Sequence, residues 1–443
     1  MPDSGDRGIR SSSGNESLVS TNFAGPGIRS WSFRIYVAAL AISNAGTSAT
    51  LFLVPLIVLN LSGSAVSVGL TAAVEMLPYL LFGLPVGVWV DRASRRFVLL
   101  GSSLLSGVVL FMLAMTHWLG FLNLAVILVS AFALSVLTIF FNSAEFAILP
   151  TFIPNIELTR ANGILSASTS TASILGPIFA GLVMTIVDPE SALLIDSASF
   201  FILTLAIIGI YRDLPGRLVR KSASSVYKDL VSGVVFVAND KILGSVAILL
   251  ALTNLLVGST VERQVFVLAK SHFHASNWEV SVLVASTGVG VVAASLFAGQ
   301  IRARCTLRAA ILGPMFVGSV CIFLTGYSPI FPLSVFSWSV GAGAGATFVI
   351  ALRTLRQEIT PVAMLGRVVT VSQVIAWSAI PVGALWGGWL VSEWGSARVF
   401  MVLGGIQVAI STVFLLWSPL GRIDEILSGL PSSNQITGVR LKS

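Results

Sequence analysis

The feature that most constrains this chain is a run of about twenty apolar residues that recurs from Phe33 to Trp417. A helix that crosses the ~30 Å hydrocarbon layer of a bilayer needs about 20 such residues. Hydrophobic residues form 55% of the chain and charged residues only 10%, which excludes a water-facing globule of 443 residues. The runs are continuously apolar rather than alternating, which excludes a closed β-barrel. The sequence therefore predicts an all-α membrane protein with about twelve transmembrane helices.

The predicted spans are 33–60, 65–90, 97–116, 121–146, 161–187, 191–211, 242–270, 280–302, 309–327, 329–352, 368–391 and 397–417. Basic residues stay on the cytoplasmic side of short loops, and here they concentrate in alternate loops. These loops hold Arg92, Arg95, Arg96, Arg302, Arg304, Arg308, Arg353, Arg356 and Arg367. The opposite loops hold only Lys270 and Arg398. We therefore expect a multi-pass protein of the cell membrane, inner membrane where there are two, with both termini in the cytoplasm.

The net charge of +7 reflects this topology, so we expect the lipid bilayer and no nucleic acid as a partner. Residues 1–30, rich in Ser, Gly and Asn, predict a disordered cytoplasmic tail, and residues 419–443 predict a second loose tail. The first apolar run is too long for a signal peptide. Cys305 and Cys321 indicate neither a disulfide framework nor a metal site.

The two halves of the chain repeat each other. Ala41-Ile-Ser-Asn44 is matched 210 positions later by Ala251-Leu-Thr-Asn254. Further matches, in the same order, pair Gly87, Arg92 and Arg96 with Gly299, Arg304 and Arg308, and Pro177 with Pro381. The repeat predicts two pseudo-symmetric six-helix bundles, residues 31–215 and 240–418. The linker 216–239 between them is basic and contains a predicted amphipathic helix at 227–238.

Two motifs stand out against this background. The second predicted span ends in Gly87-Val-Trp-Val-Asp91-Arg92-Ala-Ser-Arg95-Arg96, and the fifth contains Gly176-Pro177-Ile-Phe-Ala-Gly181. In the first, a carboxylate can bind a helix terminus and the neighbouring guanidinium groups, so the motif is interpreted as a conformational latch or as a positive-inside anchor. In the second, glycine permits close helix packing and proline removes a backbone hydrogen bond, which indicates a sliding contact or a simple kink.

The first motif resembles the loop signature of the major facilitator superfamily, with Ser94 in place of the loop glycine. The second resembles an element of its antiporter branches. The segment Gln357-Glu-Ile-Thr-Pro361 with Gly366 and Arg367 is similar to the drug/proton antiporter branch that includes macrolide-efflux and enterobactin-export proteins. This resemblance covers residues 33–417. It implies the major facilitator fold and proton-driven export by alternating access. The fourth span has no Arg, a departure from many proton antiporters of that superfamily.

Ionisable groups inside the membrane are candidates for function, because a charge there costs ~2.5–3.5 kcal/mol. Glu75 lies 16 residues before Asp91, so about 24 Å separates them along a helix and Glu75 falls in the outer half of the membrane. We predict Glu75 as the proton-coupling group, the alternative being a glutamate that only hydrogen-bonds a neighbouring helix. Glu262 and Arg263 are interpreted as an outer gate or as an interfacial pair. Glu145 and Asp196 lie near the membrane boundaries, where snorkelling or helix capping is sufficient to explain a charged side chain.

Neutral polar residues give a second set of candidates. Asn44 and Asn254 hold matched positions in the first and seventh spans, which line the central cavity in the resembled superfamily. An amide offers a ligand both a donor and an acceptor, but it also joins helices to one another. Gln373 and Trp377, one turn apart, are further predicted cavity-lining residues.

The leading hypothesis is thus a monomeric secondary transporter that exports a small amphipathic molecule, such as an antibiotic, a siderophore or another metabolite. No Walker sequence is present, so we expect no nucleotide cofactor and a proton gradient as the energy source. An importer of a small nutrient with the same fold is the alternative. A membrane enzyme or sensor is a third hypothesis, but we identify no catalytic or metal-binding constellation around His117, His272 and His274.

Overall fold

The structure is a computed structural model that describes residues 28–153, 157–210, 232, 234–258, 260–360 and 362–428. Almost all of the predicted tail 1–30, the end of the second tail and half of the predicted linker helix 227–238 lie outside the described residues, and residues 234–238 of that segment are helical. The described residues are helical apart from short connections and contain no strand. The predicted fold class is therefore confirmed.

The first six helices follow the predicted spans closely. They are α1 (Trp31–Ser62), α2 (Ala65–Arg92), α3 (Arg95–Trp118), α4 (Leu124–Phe152), α5 (Leu158–Val183) and α6 (Pro189–Gly209). Four of these helices, α1, α2, α4 and α6, begin with a side-chain cap, because the side chains of Ser30, Ser64, Asn123 and Asp188 accept backbone N–H bonds from the first turns.

The seventh span is interrupted, and the other five are continuous. The elements are α7 (Lys241–Thr253), a π-helical turn (Asn254–Gly258), α8 (Val261–Ser271), α9 (Asn277–Arg304), α10 (Leu307–Tyr327), α11 (Phe331–Ile359), α12 (Val362–Trp394) and α13 (Ser396–Trp417). A π turn holds one residue more than an α turn and is frequent at functional sites. After it, the Thr260 hydroxyl donates to the carbonyl of Gly383 at 2.7 Å, which ties the seventh span to α12.

Two bundles result from the packing of these helices. In the first, α1 packs against α5 and α6, and α3 and α4 complete the set with α2. In the second, α11 packs against α9 and α10, while α12 packs against the seventh span. The bundles meet through α2 with α12 and through α5 with α9.

The apolar character of the helices matches a lipid surrounding. Among the described residues, eleven helical segments are long and apolar enough to cross a membrane, and α5 adds a shorter apolar stretch at Ala167–Val183. Large apolar side chains point outward along them, including Leu105, Phe111, Leu205 and Trp389. Such a surface suits hydrocarbon and not water.

The chain after α13 differs from the predicted loose tail. Pro419–Arg422 forms a 3₁₀ turn and Ile423–Ser428 a short helix, α14. Leu420 and Ile423 are fully buried, and the Asp424 carboxylate accepts the backbone N–H of Leu307 at 2.8 Å and of Arg308 at 3.3 Å. An anion satisfies the free N–H groups at the start of α10, so residues 419–428 pack against the second bundle.

Small residues allow the closest approaches between helices. A Cβ atom on Gly343 of α11 would lie 2.6 Å from the carbonyl oxygen of Gly290 on α9. Two positions later, Gly345 of the same helix faces open space, with nothing within 4 Å of a built Cβ atom. Van der Waals packing of backbones drives helix association in lipid, so Gly343 should be required for stability and Gly345 should not.

We therefore predict that Gly343→Ala lowers the stability of the purified protein by about 1–3 kcal/mol, because the added methyl group forces α9 and α11 apart. Gly345→Ala is the matched control and should be neutral or slightly stabilising, since alanine is the better helix former. Thermal unfolding in detergent, followed by scanning fluorimetry, measures both. Equal melting temperatures for the two variants would contradict the assigned packing.

Candidate functional site

The two bundles are in tight contact at one end of the molecule, where α1 ends and α2 begins. We call it the outer end, following the predicted orientation. There the fully buried side chain of Gln264 on α8 donates through Nε2 to the carbonyl oxygen of Ala65 on α2 at 3.1 Å. A Cβ atom on Gly388 of α12 would lie 2.7 Å from the same oxygen. This end is therefore closed.

An ion pair joins the bundles deeper in the membrane. Arg263 Nη2 on α8 lies 2.9 Å from Glu75 Oε2 on α2, and the two side chains are only 19% and 11% exposed. Glu75 is ten residues after the start of α2, about 15 Å along the helix, and Arg263 is eight residues before the end of α8, about 12 Å. The pair therefore joins two groups at similar depth.

The contact is held by charge more than by hydrogen-bond geometry. Glu75 Oε2 accepts no aligned hydrogen bond, although the guanidinium lies within ion-pair distance. The other half of the predicted gate, Glu262, is exposed and has Arg263 as its neighbour in the chain. The structure thus brings together Glu75 and Arg263, which the sequence placed in separate roles, and leaves Glu262 outside the pair.

Two aromatic contacts lie about one turn from this ion pair along α2 and α8. Tyr79, one turn after Glu75, meets Trp377 of α12 edge to face at a centroid distance of 6.0 Å. The ring centroids of Phe52 on α1 and Phe266 on α8 lie 5.8 Å apart. Trp377 is 42% exposed, and its place on a cavity wall stays a prediction. The side chain of Gln373, its predicted companion, lies outside the described part of the chain.

The matched asparagines bind within their own bundles. Asn44 Nδ2 donates to Thr169 Oγ1 on α5 at 3.4 Å, in an accessible region, and Asn254 Nδ2 donates to the carbonyl of Ala376 on α12 at 3.0 Å. Both contacts join helices, as one of the two interpretations of these residues expected. Polar groups this deep in a span normally face other protein or an aqueous cavity and not lipid.

The glycine–proline motif of α5 makes two different close contacts. A Cβ atom on Gly176 would lie 2.5 Å from Ser48 Cβ and 2.9 Å from the Ala45 carbonyl, both on α1. A Cβ atom on Gly181 would be 2.5 Å from Ser281 Cβ on α9, in the other bundle. Pro177 is buried between them. The motif therefore lies where α5 contacts its own bundle and the opposite one.

The predicted latch lies at the opposite end of α2 from the outer end. Arg92 is the last residue of α2, and Arg95 and Arg96 begin α3, half-buried. The side chains of Asp91 and Arg92 lie outside the described part of the chain, as does Gly87 beyond its backbone. The latch therefore remains a prediction.

The interpretation of Asp196 as a snorkelling or capping residue is wrong. Asp196 is 2% exposed, and it accepts hydrogen bonds from Thr50 Oγ1 on α1 at 2.5 Å and from Ser199 Oγ at 3.0 Å. It lies seven residues inside α6, too far from the helix start to cap it. The physical reason is that the hydroxyl partners on α1 and α6 satisfy the carboxyl inside the bundle.

A second polar cluster lies where α3 ends and α6 begins. Ligand-type atoms of His117, Asp188 and Glu190 lie within 4.8 Å of one another, and His117 Nε2 is 3.4 Å from Asp188 Oδ2. Burial alone would raise the pKa of Asp188, but hydrogen bonds from Ser191 and the nearby His117 hold that pKa below its usual value. Because Asp188 also caps α6, these contacts explain the cluster as a tie between two helices.

Known proteins resemble this chain over most of its length. A model of the family described as transmembrane secretion effectors matches residues 21–440. Macrolide efflux protein A of Streptococcus pyogenes is 21% identical over 366 residues, which cover 82% of this chain and 90% of that protein. The multidrug efflux pump Tap of Mycobacterium tuberculosis is 27% identical over 387 residues, which cover 83% and 88%.

Among solved structures, a bacterial homologue of the human lysosomal transporter Spinster, in an inward-facing and unoccupied conformation, superposes with a TM-score of 0.66. It is 13% identical, and the match covers 89% of this chain and 96% of that one. At this identity the likeness concerns the fold, and it agrees with the two-bundle arrangement.

Sequence reasoning missed Gln264, Tyr79 and the link from Glu75 to Arg263. Gln264 carries a usable signal, because an uncharged polar residue beside two charged ones inside a span is unusual. The pairing itself depends on how α2 and α8 cross, which no local pattern reports.

We predict that Glu75→Gln and Arg263→Gln each weaken outer-end closure by about 3 kcal/mol. The first variant leaves the buried charge of Arg263 without a partner, and the second leaves that of Glu75. The readout is labelling of Ala65→Cys by a membrane-impermeant maleimide, in a background that lacks Cys305 and Cys321. Labelling should increase in both variants and return towards the parent level in the exchanged pair Glu75→Arg with Arg263→Glu.

Glu262→Gln is the matched control, since it removes the carboxylate next to Arg263 in the chain, which interacts with Arg263 electrostatically but does not form the ion pair across the bundles. Its labelling should increase much less than that of Glu75→Gln. An increase in Glu262→Gln as large as that in Glu75→Gln would show that general loss of negative charge, and not the specific ion pair, controls closure.

Proposed function

Because the chain belongs to the transmembrane secretion effector family, we propose that it exports a small amphipathic molecule across the cell membrane by alternating access. Efflux of macrolides and of several drugs is what the names of two relatives describe. The proposed cargo is an antibiotic, a siderophore or another metabolite of similar character. The orientation proposed from the basic loops, with both termini in the cytoplasm, makes release at the outer end equal to export.

The observation that supports this function best is the Glu75–Arg263 pair at the closed outer end. A transporter must expose its central cavity to each side in turn, so a contact between bundles on one side has to break in every cycle. The pair joins α2 and α8 across the bundle contact, and Gln264 and Gly388 close the same end. Its opening is the step at which cargo would leave.

A proton gradient is the proposed energy source, with no bound cofactor. Protonation of Glu75 would remove the negative charge that Arg263 neutralises, so the attraction across the outer end would disappear. Glu75 is thus proposed as a proton-sensitive member of the gate. In the opposite state, the Asp91 cluster (Gly87, Asp91, Arg92, Arg95 and Arg96) is proposed to hold the inner end closed.

The cavity between the bundles is proposed to bind cargo mainly through apolar and aromatic contacts. Tyr79 and Trp377 meet across the bundle contact, and Asn44 and Asn254 add amide groups in the first and seventh spans. Few charged side chains lie in the spans. A nutrient importer for sugars or anions would need more polar partners, so an amphipathic cargo fits this surface better.

We predict that everted membrane vesicles accumulate the exported compound when their interior is made acidic, and that an uncoupler abolishes this accumulation. Glu75→Gln should reduce gradient-driven accumulation about tenfold, the change expected for a loss of roughly 1.4 kcal/mol in coupling. A panel of chemically diverse labelled compounds, which includes a macrolide, identifies the cargo. Cells that lack or overproduce the protein provide the susceptibility comparison.

Glu262→Gln, at the adjacent exposed position, is again the control and should accumulate the compound as the wild type does. Wild-type dependence on the gradient in Glu75→Gln would overturn the coupling role of Glu75. Accumulation in right-side-out vesicles but not in everted ones would overturn export and establish import.

A further inference from the structure

A carboxyl group lies buried in the first bundle, away from the bundle contact. Asp196 is 2% exposed and sits seven residues after Pro189, the first residue of α6. At ~1.5 Å per residue it lies about 10 Å along the helix, within the hydrocarbon layer. The export mechanism described above makes no use of it.

Two hydroxyl groups hold this carboxyl between α1 and α6. Thr50 Oγ1 is 2.5 Å from Oδ2, and Ser199 Oγ is 3.0 Å from Oδ1. Gly46, one turn before Thr50, leaves the space that the carboxyl fills, since a Cβ atom there would overlap Oδ1 and would lie 2.7 Å from Ser199 Oγ. The site is built to accept a carboxyl group in a fixed position.

No cation compensates the charge of Asp196 in the part of the chain that the structure describes. α6 contains no Lys, Arg or His. On α1 the nearest ionisable groups are Arg34 and Tyr36, 16 and 14 residues before Thr50, and Tyr36 donates to Glu145 instead. On α3, Arg95, Arg96 and His117 are 12, 11 and 10 residues from Gly107, whose carbonyl contacts Ser197. These separations are about 15 Å or more along each helix.

Two buried carboxyls of the first bundle are therefore in opposite situations. Glu75 faces Arg263 at 2.9 Å, so its negative charge is balanced in this closed state. Asp196 has only neutral hydroxyl partners, and an ionised carboxyl in such a place takes up a proton instead of remaining charged. A proton on Oδ2 reverses the short hydrogen bond, so that Asp196 donates to Thr50 and the Thr50 hydroxyl turns to a carbonyl of its own helix.

We propose that Asp196, with Thr50 and Ser199, forms a proton-binding site that is occupied while the outer end is closed. Loss of the proton leaves a buried, unbalanced charge between α1 and α6. The charge is relieved only if the two helices separate enough to admit water. Occupancy of the site therefore stabilises the packed arrangement of α1.

Helix α1 carries this effect to the bundle contact. Thr50 contacts α6, and Phe52, two residues later, contacts Phe266 of α8, three residues after Arg263. Protons at Asp196 then favour the closed outer end. This sign is opposite to that of a proton on Glu75, which would weaken the ion pair with Arg263, so the two carboxyls would carry protons in opposite states of the carrier. Proton entry can drive export through Asp196 because the form loaded at Asp196 closes on the outside. The coupling role rests on the proposed function, whereas proton binding at Asp196 does not.

Infrared difference spectroscopy of the full chain in lipid nanodiscs tests the site with the proton as the only ligand. At neutral pH the wild type should show the carbonyl band of a buried protonated carboxyl group. Asp196→Asn should remove the band, and Glu75→Gln should keep it. Thr50→Val should shift its frequency, because one hydrogen bond to the carboxyl is lost, and this variant decides the question if Asp196→Asn does not fold. A band that persists in Asp196→Asn, or is unmoved in Thr50→Val, overturns the proposal.

Labelling of Ala65→Cys across a pH series tests the link to the outer end without any cargo. In the parent, the labelling rate, divided by that of a fully exposed cysteine at the same pH to correct for thiolate formation, should increase severalfold from neutral to alkaline pH as Asp196 loses its proton. In Asp196→Asn it should stay low throughout, since asparagine imitates the neutral carboxyl, and a purely structural role would not remove the pH dependence. Equal pH profiles in both overturn the link. If both tests succeed and no compound is exported, the proton site stands and the proposed function fails.

Discussion

The absence of water in the hydrocarbon layer is the constraint on which the rest of this structure depends. It requires every backbone group to bond within a helix, and it makes each buried charge expensive unless something balances it. Close packing replaces the hydrophobic effect between helices, and so glycines mark the tightest contacts, such as Gly343 against Gly290. The few charged groups that remain in the spans are consequently the points where structure and function meet.

Two carboxyls of the first bundle illustrate how position decides chemistry. Glu75 lies at the bundle contact and meets a guanidinium from the other bundle, while Asp196 lies within its own bundle among hydroxyl groups. The first is suited to hold two bodies together by charge. The second is suited to hold a proton. Because α1 touches both α6 and α8, one helix lies between the two sites.

Local patterns in the sequence were enough to predict the fold, since the length of an apolar run and the basic loops depend only on neighbouring residues. The functional importance of Glu75 was also predicted from its depth, and its role stays a prediction. Its pairing with Arg263 was not predicted, because two residues 188 positions apart meet only through the crossing of α2 and α8. Asp196 was misinterpreted for the same reason: its partner Thr50 is 146 positions away. The tail after Pro419 was expected to be loose, since six helical residues give no periodic signal of their own.

The π turn at Asn254–Gly258 has a consequence for the symmetry of the repeat. One additional residue in a turn rotates everything that follows by roughly 100° relative to a regular helix. The first span, α1, is continuous over the matched stretch, and the position 210 residues before Arg263 is the buried Leu53. The duplicated halves are therefore not interchangeable at their shared interface: Arg263 points across it from one copy, while Leu53, at the matching sequence position of the other copy, is a buried aliphatic side chain. A single-residue change of register in one copy of the repeat is sufficient to give the two bundles different side chains at the surface where they meet.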